Sequence, residues 1–374
     1  MEVGLVRATI MSKLIGGLSG FWKFVMAELF FDDAGHHFAK SGIHLDLHGG
    51  GTAHLWFDCK IVVADEAALH GLLSCKGSSG LKCCCMCANI FNWKIDRGCI
   101  ARDRSGTARY HTTHDFDSLV LHTPSSIDTI FRSLGAAAAS ELAELETRLG
   151  WKWELRSGMV DPAFRRQINP CASVTFDGMH CFFVNGVFNH AAGKLIKRLK
   201  ELKIMTEIEE FVNLWKCPRQ LSNRISIQEV FSPDRIKSSL AAGTLKCSAS
   251  EGVSIVPILA QYCLIVLRRL PGIREHLECF LALALAIGRW QRAPRRLCTP
   301  RMLKDAIVDF LKKFFDLYGP ESMTIKFHYI LHMPLQSDRL INSWVHERNT
   351  NIVRYTAMYI PTPLAIGTEV SFEM

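Results

Sequence analysis

A mostly helical α+β protein is predicted from three observations. Strand-like runs concentrate in the first 65 residues with one more apolar strand ahead of Asp177, helical periodicity dominates from residue 126 onward, and a cysteine-rich loop separates the two. The 374 residues suffice for one large domain or two ordinary ones. With 48% hydrophobic and 21% charged residues, the composition excludes a largely disordered chain. The 44 basic and 36 acidic residues leave a net charge of +8, a mild excess that permits a nucleic-acid partner without requiring one.

In chain order, FWKFVMAELFF (21–31) reads as a short helix. Two strand-like runs follow, GIHLDL (42–47) and HLWFDCKIVVAD (54–65), parted by the turn signal Gly49, Gly50 and Gly51. Asp65 closes the second run and EAALHGLL continues as a helix, with Gly77 and Gly80 breaking the chain beyond it. Ala136–Leu149 is rich in helix formers and stops at Gly150, while Gly193–Trp215 carries helical periodicity. Ser248 and Glu251 form a capping box ahead of the apolar run 253–267. Thr299 and Pro300 open an amphipathic helix in which Leu303, Ile307, Phe310, Leu311 and Phe314 share a face, and Gly319-Pro320 ends it. No internal repeat or low-complexity tract interrupts this order.

Five parts result: strands ending at Asp65 (1–70), a cysteine-rich loop region (71–125), a helical stretch (126–320), a C-terminal helix with HxxxH and an acid (321–360), and a tail (361–374). The N-terminus is apolar but broken by Arg7, Lys13 and Lys23, so it lacks the ordered regions of a signal peptide. The apolar stretches Val253–Leu267 and Cys279–Ile287 fall short of the roughly 20 residues of a spanning helix. The expectation is a soluble protein, nuclear or cytoplasmic and not secreted, with no membrane partner. Of fourteen cysteines, Cys75, Cys83, Cys84, Cys85, Cys87 and Cys99 crowd into one stretch. That clustering suits metal ligands in a reducing compartment better than a disulfide scaffold.

Cys84 and Cys87 are spaced so that one tight loop presents both sulfurs to a metal, although Cys83 and Cys85 leave the choice of pair open. His328 and His332 stand four apart in KFHYILHMP, one helical turn, which lets two imidazoles grip one ion. Two Cys and two His complete a tetrahedral zinc site and close its sphere, which disfavours a zinc hydrolase. Asp65 ends an apolar strand, where it is either a metal-binding carboxylate or the N-cap of EAALH, and its spacing alone favours the cap. Glu347, in WVHERN, is alone an ordinary surface acid beside Arg348. Asp177 and His180 make either a second metal site or a capped helix start. Two basic clusters, Lys194 to Lys203 and Arg289 to Arg301, are solvated helix faces by default and phosphate contacts in a DNA-handling protein.

Taken together, Asp65, Cys84-x-x-Cys87, His328-x-x-x-His332 and Glu347 resemble the catalytic domain of CACTA (En/Spm)-type DDE transposases, in the group with Chapaev and Transib elements and the V(D)J recombinase. CKGSSGLKCCCMC, TFDGMHCFFVNGVFNH and KFHYILHMP…VHERN resemble family segments, and the likeness spans roughly residues 55–355. It implies a partial RNase H-like core interrupted by a long all-α insertion, with a structural zinc held by Cys84, Cys87, His328 and His332 joining the two. It also implies Asp65 and Glu347 as second and third catalytic carboxylates, with Mg2+ or Mn2+ supporting two-metal strand cleavage and transfer. The implied partner is DNA at transposon ends, bound by a chain that is a candidate homo-oligomer.

Only 64 residues precede Asp65, without a strand-Asp-Gly signature. Asp46 lies too near Asp65 and Asp58 on its own strand, so the first catalytic Asp is expected to be missing through truncation and the copy to be degenerate or inactive. A non-catalytic, zinc-stabilised module binding nucleic acid or protein is the alternative.

Overall fold

The computed structural model describes residues 16–30, 35–36, 38–46, 51–55, 62–168, 173–215 and 224–336. Helices dominate and the described strands are short, as the α+β, mostly helical reading predicts.

Helix α1 (Gly17–Phe30) precedes an antiparallel hairpin of β1 (Ile43–Asp46) and β2 (Thr52–Leu55), in register from Ile43 opposite Leu55 to Asp46 opposite Thr52. Strand β3 (Val62–Ala64) belongs to a different sheet, so the described ends of the run 54–65 do not share a partner. Its two ends pair elsewhere, and Asp58 lies outside the described residues. Helix α2 (Glu66–Leu73) follows as expected and buries Leu69 and Leu73. In the cysteine-rich region β4 (Ile90–Phe91) and β5 (Arg109–Tyr110) pair in parallel over only two residues each.

The alanine run 136–139 is the junction of two helices, α3 (Pro124–Gly135) and α4 (Ala139–Leu149), rather than the start of one. Thr123 caps α3 through a local hydrogen-bond box with Ser126. Gly150 caps α4 as the sequence signals: φ is 80°, and a Cβ there would stand 1.9 Å from the Lys82 carbonyl oxygen. Only glycine allows that approach, which ties α4 to the cysteine loop.

Strand β6 (Val174–Phe176) returns to pair in parallel with β3, and α5 (Gly178–Phe183) and α6 (Val187–Glu201) follow. The helical pattern of Gly193–Trp215 is broken at Lys203, whose φ of 63° turns the chain into α7 (Met205–Leu214). Helix α8 (Ala249–Ile265) starts at the anticipated capping box, with Ser248 N donating to Glu251 at 2.6 Å and Glu251 N to Ser248 Oγ at 3.3 Å. With its 3-10 extension, Ala249–Arg269 reaches 21 residues at a mean hydropathy of 1.7, longer than the apolar stretch suggests. Half of its apolar window is buried among other helices, as in a core helix; Tyr262, for example, packs on Phe211 with ring centroids 5.1 Å apart.

Helices α9 (Arg274–Arg292) and α10 (Pro300–Tyr318) form the most extensive helix pair. The predicted face of α10, Leu303, Ile307, Phe310, Leu311 and Phe314, is fully buried. Burial of each such side chain stabilises the fold by roughly 1.5–3 kcal/mol. Phe310 and Phe314 pack on Phe327 of α11 (Ile325–Tyr329), at ring-centroid distances of 6.2 and 4.7 Å. That contact seats the histidine-bearing segment against the helical body.

Candidate metal centre

The HxxxH segment is less regular than one helix. His328 lies in α11, whereas His332 lies on the 3-10 stretch Ile330–Gln336, which contains Pro334. The two Nε2 atoms still converge, 3.1 Å apart, with the ring planes nearly perpendicular. From the far end of the chain the cysteine loop meets them: Cys84 Sγ lies 3.3 Å and Cys87 Sγ 3.5 Å from His332 Nε2. All four ligand atoms fall within 4.8 Å of one another, and all four residues are buried.

These separations can be set against a tetrahedral ion. Zinc bonds of about 2.3 Å to sulfur and about 2.0–2.1 Å to nitrogen imply ligand spacings of about 3.6 Å for S···N and about 3.3 Å for N···N. The observed distances of 3.3, 3.5 and 3.1 Å match within a few tenths of an ångström. The donor set therefore fits zinc. Cys83 and Cys85 are buried too but stand outside the group, so the pair left open by the sequence is Cys84 with Cys87.

Electrostatics at the site also favour a cation. Burial opposes ionisation of Cys84, but the Cys87 thiol and the two imidazoles beside it bring its proton affinity well below that of an ordinary thiol. Cys87 is pushed the other way by burial and by the neighbouring Cys84 sulfur. Burial lowers the proton affinity of His328, leaving its ring neutral as a ligand must be. The backbone N–H of Met86 donates to Cys84 Sγ at 3.4 Å. The Nδ1 atoms of both histidines have no hydrogen-bond partner among the described residues.

Backbone pairing ties the loop to the segment that follows it. Cys87 bridges Leu121, His122 N donates to the Met86 carbonyl at 2.8 Å, and Ala88 N donates to Val120 O at 2.8 Å. On the histidine side, Phe176 of β6 stacks on Tyr329 at 4.1 Å, and the Tyr329 hydroxyl lies 3.3 Å from His70 Nε2 and 3.4 Å from the Cys83 carbonyl. Gln336 donates to the Val174 carbonyl, again on β6. The metal cluster thus adjoins the β3–β6 pair directly.

Asp65 sits at the end of β3 and caps α2, its Oδ1 accepting from Ala68 N at 2.7 Å. Asp177 follows β6 in the same way and caps α5, accepting from Met179 N at 3.0 Å while its other oxygen meets His180 Nδ1. Asp177 is therefore used as a helix start. Because Ala64 is in register with Phe176, the two acids leave the same edge of one parallel pair. Glu347 lies outside the described residues.

Three neighbours carry no distinguishing signal in the sequence. Glu66 is largely buried, and its proton affinity is raised by that burial against the pull of Lys326. Lys326 donates to the carbonyls of His180 (3.3 Å) and Val184. Tyr329 is fully buried and links Glu66, His70 and the loop. Comparison with family models, with curated proteins and with solved structures finds no match to this chain.

Proposed function

We propose that the chain is a transposable-element-derived protein of CACTA (En/Spm) type. In this reading β3, β6 and the hairpin are a partial RNase H-like core, the helices are the all-α insertion, and a structural zinc clamps one to the other. The observation that carries it is the convergence of Cys84 and His332, 248 residues apart in sequence, on one buried tetrahedral arrangement beside the strand that ends in Asp65. Convergence from both chain ends is what the resemblance requires of those four residues.

The activity in this reading is DNA strand cleavage and transfer. Asp65 would hold Mg2+ or Mn2+ together with Glu347, and the ions would supply a nucleophile and stabilise the leaving oxygen. Arg292, Arg295, Arg296 and Arg301 are exposed and have no ion pair among the described residues, which suits contact with DNA phosphates. In this reading the copy is degenerate, keeping DNA binding without cleavage.

Incubating the purified protein with terminal-repeat DNA and Mg2+ or Mn2+ tests the assignment. Asp65→Asn is the informative variant, because asparagine keeps the helix cap while removing the charge. Nicking lost in that variant establishes the enzyme. DNA binding without nicking fits the degenerate copy, and neither binding nor nicking overturns the reading.

A second reading is a zinc-stabilised interaction module without catalysis. It is favoured by the engagement of Asp65 and Asp177 as helix caps. It requires bound zinc, no salt-dependent DNA binding, and no effect of Glu347→Gln on any activity.

A further inference from the structure

A cleft of about 440 Å3 opens beside the metal cluster, between the cysteine-rich region, the start of α2, the α5–α6 turn and the start of α11. Its volume falls in the ordinary range for small-molecule sites, roughly 300–1,000 Å3. None of the roles assigned above uses it.

Its lining is largely apolar, and its charged groups are positively biased. Lys94 stands on one wall and Lys326 on another, against a single acid, Glu66. Lys94 is exposed and has no ion pair among the described residues. His190 lines the cleft as well. Burial lowers its proton affinity first, and Lys194, Lys326 and Lys246 lower it further, so several cations project their field into the space.

Two buried polar atoms in the lining are unsatisfied. His111 is only 4% exposed, and its Nδ1 has no hydrogen-bond partner among the described residues. The Thr324 hydroxyl is likewise buried and unpartnered. Leaving such a group without a partner costs roughly 1–3 kcal/mol; both belong to residues that line the cleft together with two lysines, which suits a ligand that supplies acceptors. At the rim, Asn185 holds a left-handed backbone with φ of 45°, a conformation that Asn tolerates better than most residues.

From this we infer that the cleft binds a phosphomonoester dianion of nucleotide size. Lys94 and Lys326 supply charge, and His111 and Thr324 supply hydrogen bonds. Ile95, Met323 and Ile325 give an apolar side for the organic part of the ligand. The inference does not rest on the transposase reading, since it concerns a free small anion and not strand chemistry.

Isothermal titration calorimetry of the full chain tests it with inorganic phosphate, a nucleoside 5′-monophosphate and the corresponding nucleoside as separate arms. The monophosphate is expected to bind, inorganic phosphate more weakly, and the nucleoside not measurably. Lys94→Ala is expected to weaken the monophosphate roughly tenfold or more, the scale of a charge-assisted contact. Lys94 is exposed, so that variant should keep its melting temperature, and His111→Phe gives a second reduction from inside the cleft. Lys237→Ala, an exposed cation outside the cleft lining, should bind as the parent does. No heat with either phosphate ligand, or equal affinity in parent, Lys94→Ala and His111→Phe, overturns the inference. Binding of phosphate and monophosphate with equal strength retains the anion site but rejects the nucleotide-sized ligand.

Discussion

Removing the metal is the perturbation with the most direct readout. If zinc binds the native arrangement and not the unfolded chain, it stabilises by RT ln(1 + [L]/Kd), about 4.1 kcal/mol at a thousandfold excess over Kd. An unfolding entropy of about 2.1 cal/mol/K per residue, over 374 residues, amounts to about 0.8 kcal/mol/K. Stripping the site should therefore lower Tm by about 5 °C. The assay is calorimetry before and after a strong chelator, with metal content measured by mass spectrometry and one zinc expected per chain. The ligand set makes the prediction specific. His332 Nε2 lies within 3.5 Å of Cys84, Cys87 and His328 ligand atoms, so His332→Ala should abolish stoichiometric zinc. Cys83→Ser should keep it, because that sulfur stands outside the group. Chelation without effect on Tm, or zinc lost in Cys83→Ser and kept in Cys84→Ser, would refute the assignment.

Other expectations concern the surroundings. Asp65→Ala should cost about 1 kcal/mol through loss of the α2 cap, with Asp65→Asn close to neutral in denaturant titrations; the reverse order would mean that charge, not capping, sets the stability. Gly150→Ala should destabilise by at least about 2 kcal/mol, because the residue adds left-handed strain to a Cβ 1.9 Å from the Lys82 carbonyl oxygen. Burial lowers both His111 and His122 from 6.5 to about 4. Above pH 6.5 neither folded nor unfolded chain carries those protons. Between 6.5 and 4 only the unfolded chain takes them up, so stability is full at neutral pH and falls on acidification, by up to roughly 3 kcal/mol per histidine. His122→Gln should shrink that fall by one such increment, and an unchanged pH dependence would show that His122 does not titrate as described.

What could be read in advance follows from how locally each feature is encoded. The caps at Asp65, Ser248 and Thr299 and the stop at Gly150 involve hydrogen bonds within a few residues, so residue type at fixed spacing reveals them. The buried face of α10 is also visible, because period-3.6 apolar spacing is a property of the segment itself. Breaks at Lys203 and at the 135–139 junction were hidden, since neither carries proline. At Gly135 a Cβ would stand 2.7 Å from the Trp153 ring, a contact that no local pattern states. Strand partners were hidden for a different reason. Pairing of β3 with β6 joins segments about 110 residues apart, and no local pattern states it. The nearness of Asp65 to Asp177, and the cleft lined by Glu66, His111, His190 and Lys326, are consequences of that pairing and of the helix packing.

The metal ligands occupy a middle case, and the reason bears on what the metal does. Their chemistry is encoded by type and spacing within each pair, but nothing local joins Cys84-x-x-Cys87 to His328-x-x-x-His332. The join is made by packing: Phe327 anchors the histidine segment to α10, while Tyr329 and Gln336 fix it to β6 and the loop. The loop itself has two-residue strands and isolated bridges in place of long ladders. Its backbone is also held by hydrogen bonds from Lys76 to Gly150, Leu81 to Thr147 and Asn92 to Leu81, and its residues Cys83 to Cys87 join the core that α9 and α10 share. An ion bound by the four ligands would add four bonds to those contacts. A metal bound at this junction would therefore tie the cysteine-rich region to the histidine segment, and through Tyr329 and Phe176 it would also bear on the strand ends from which Asp65 and Asp177 emerge.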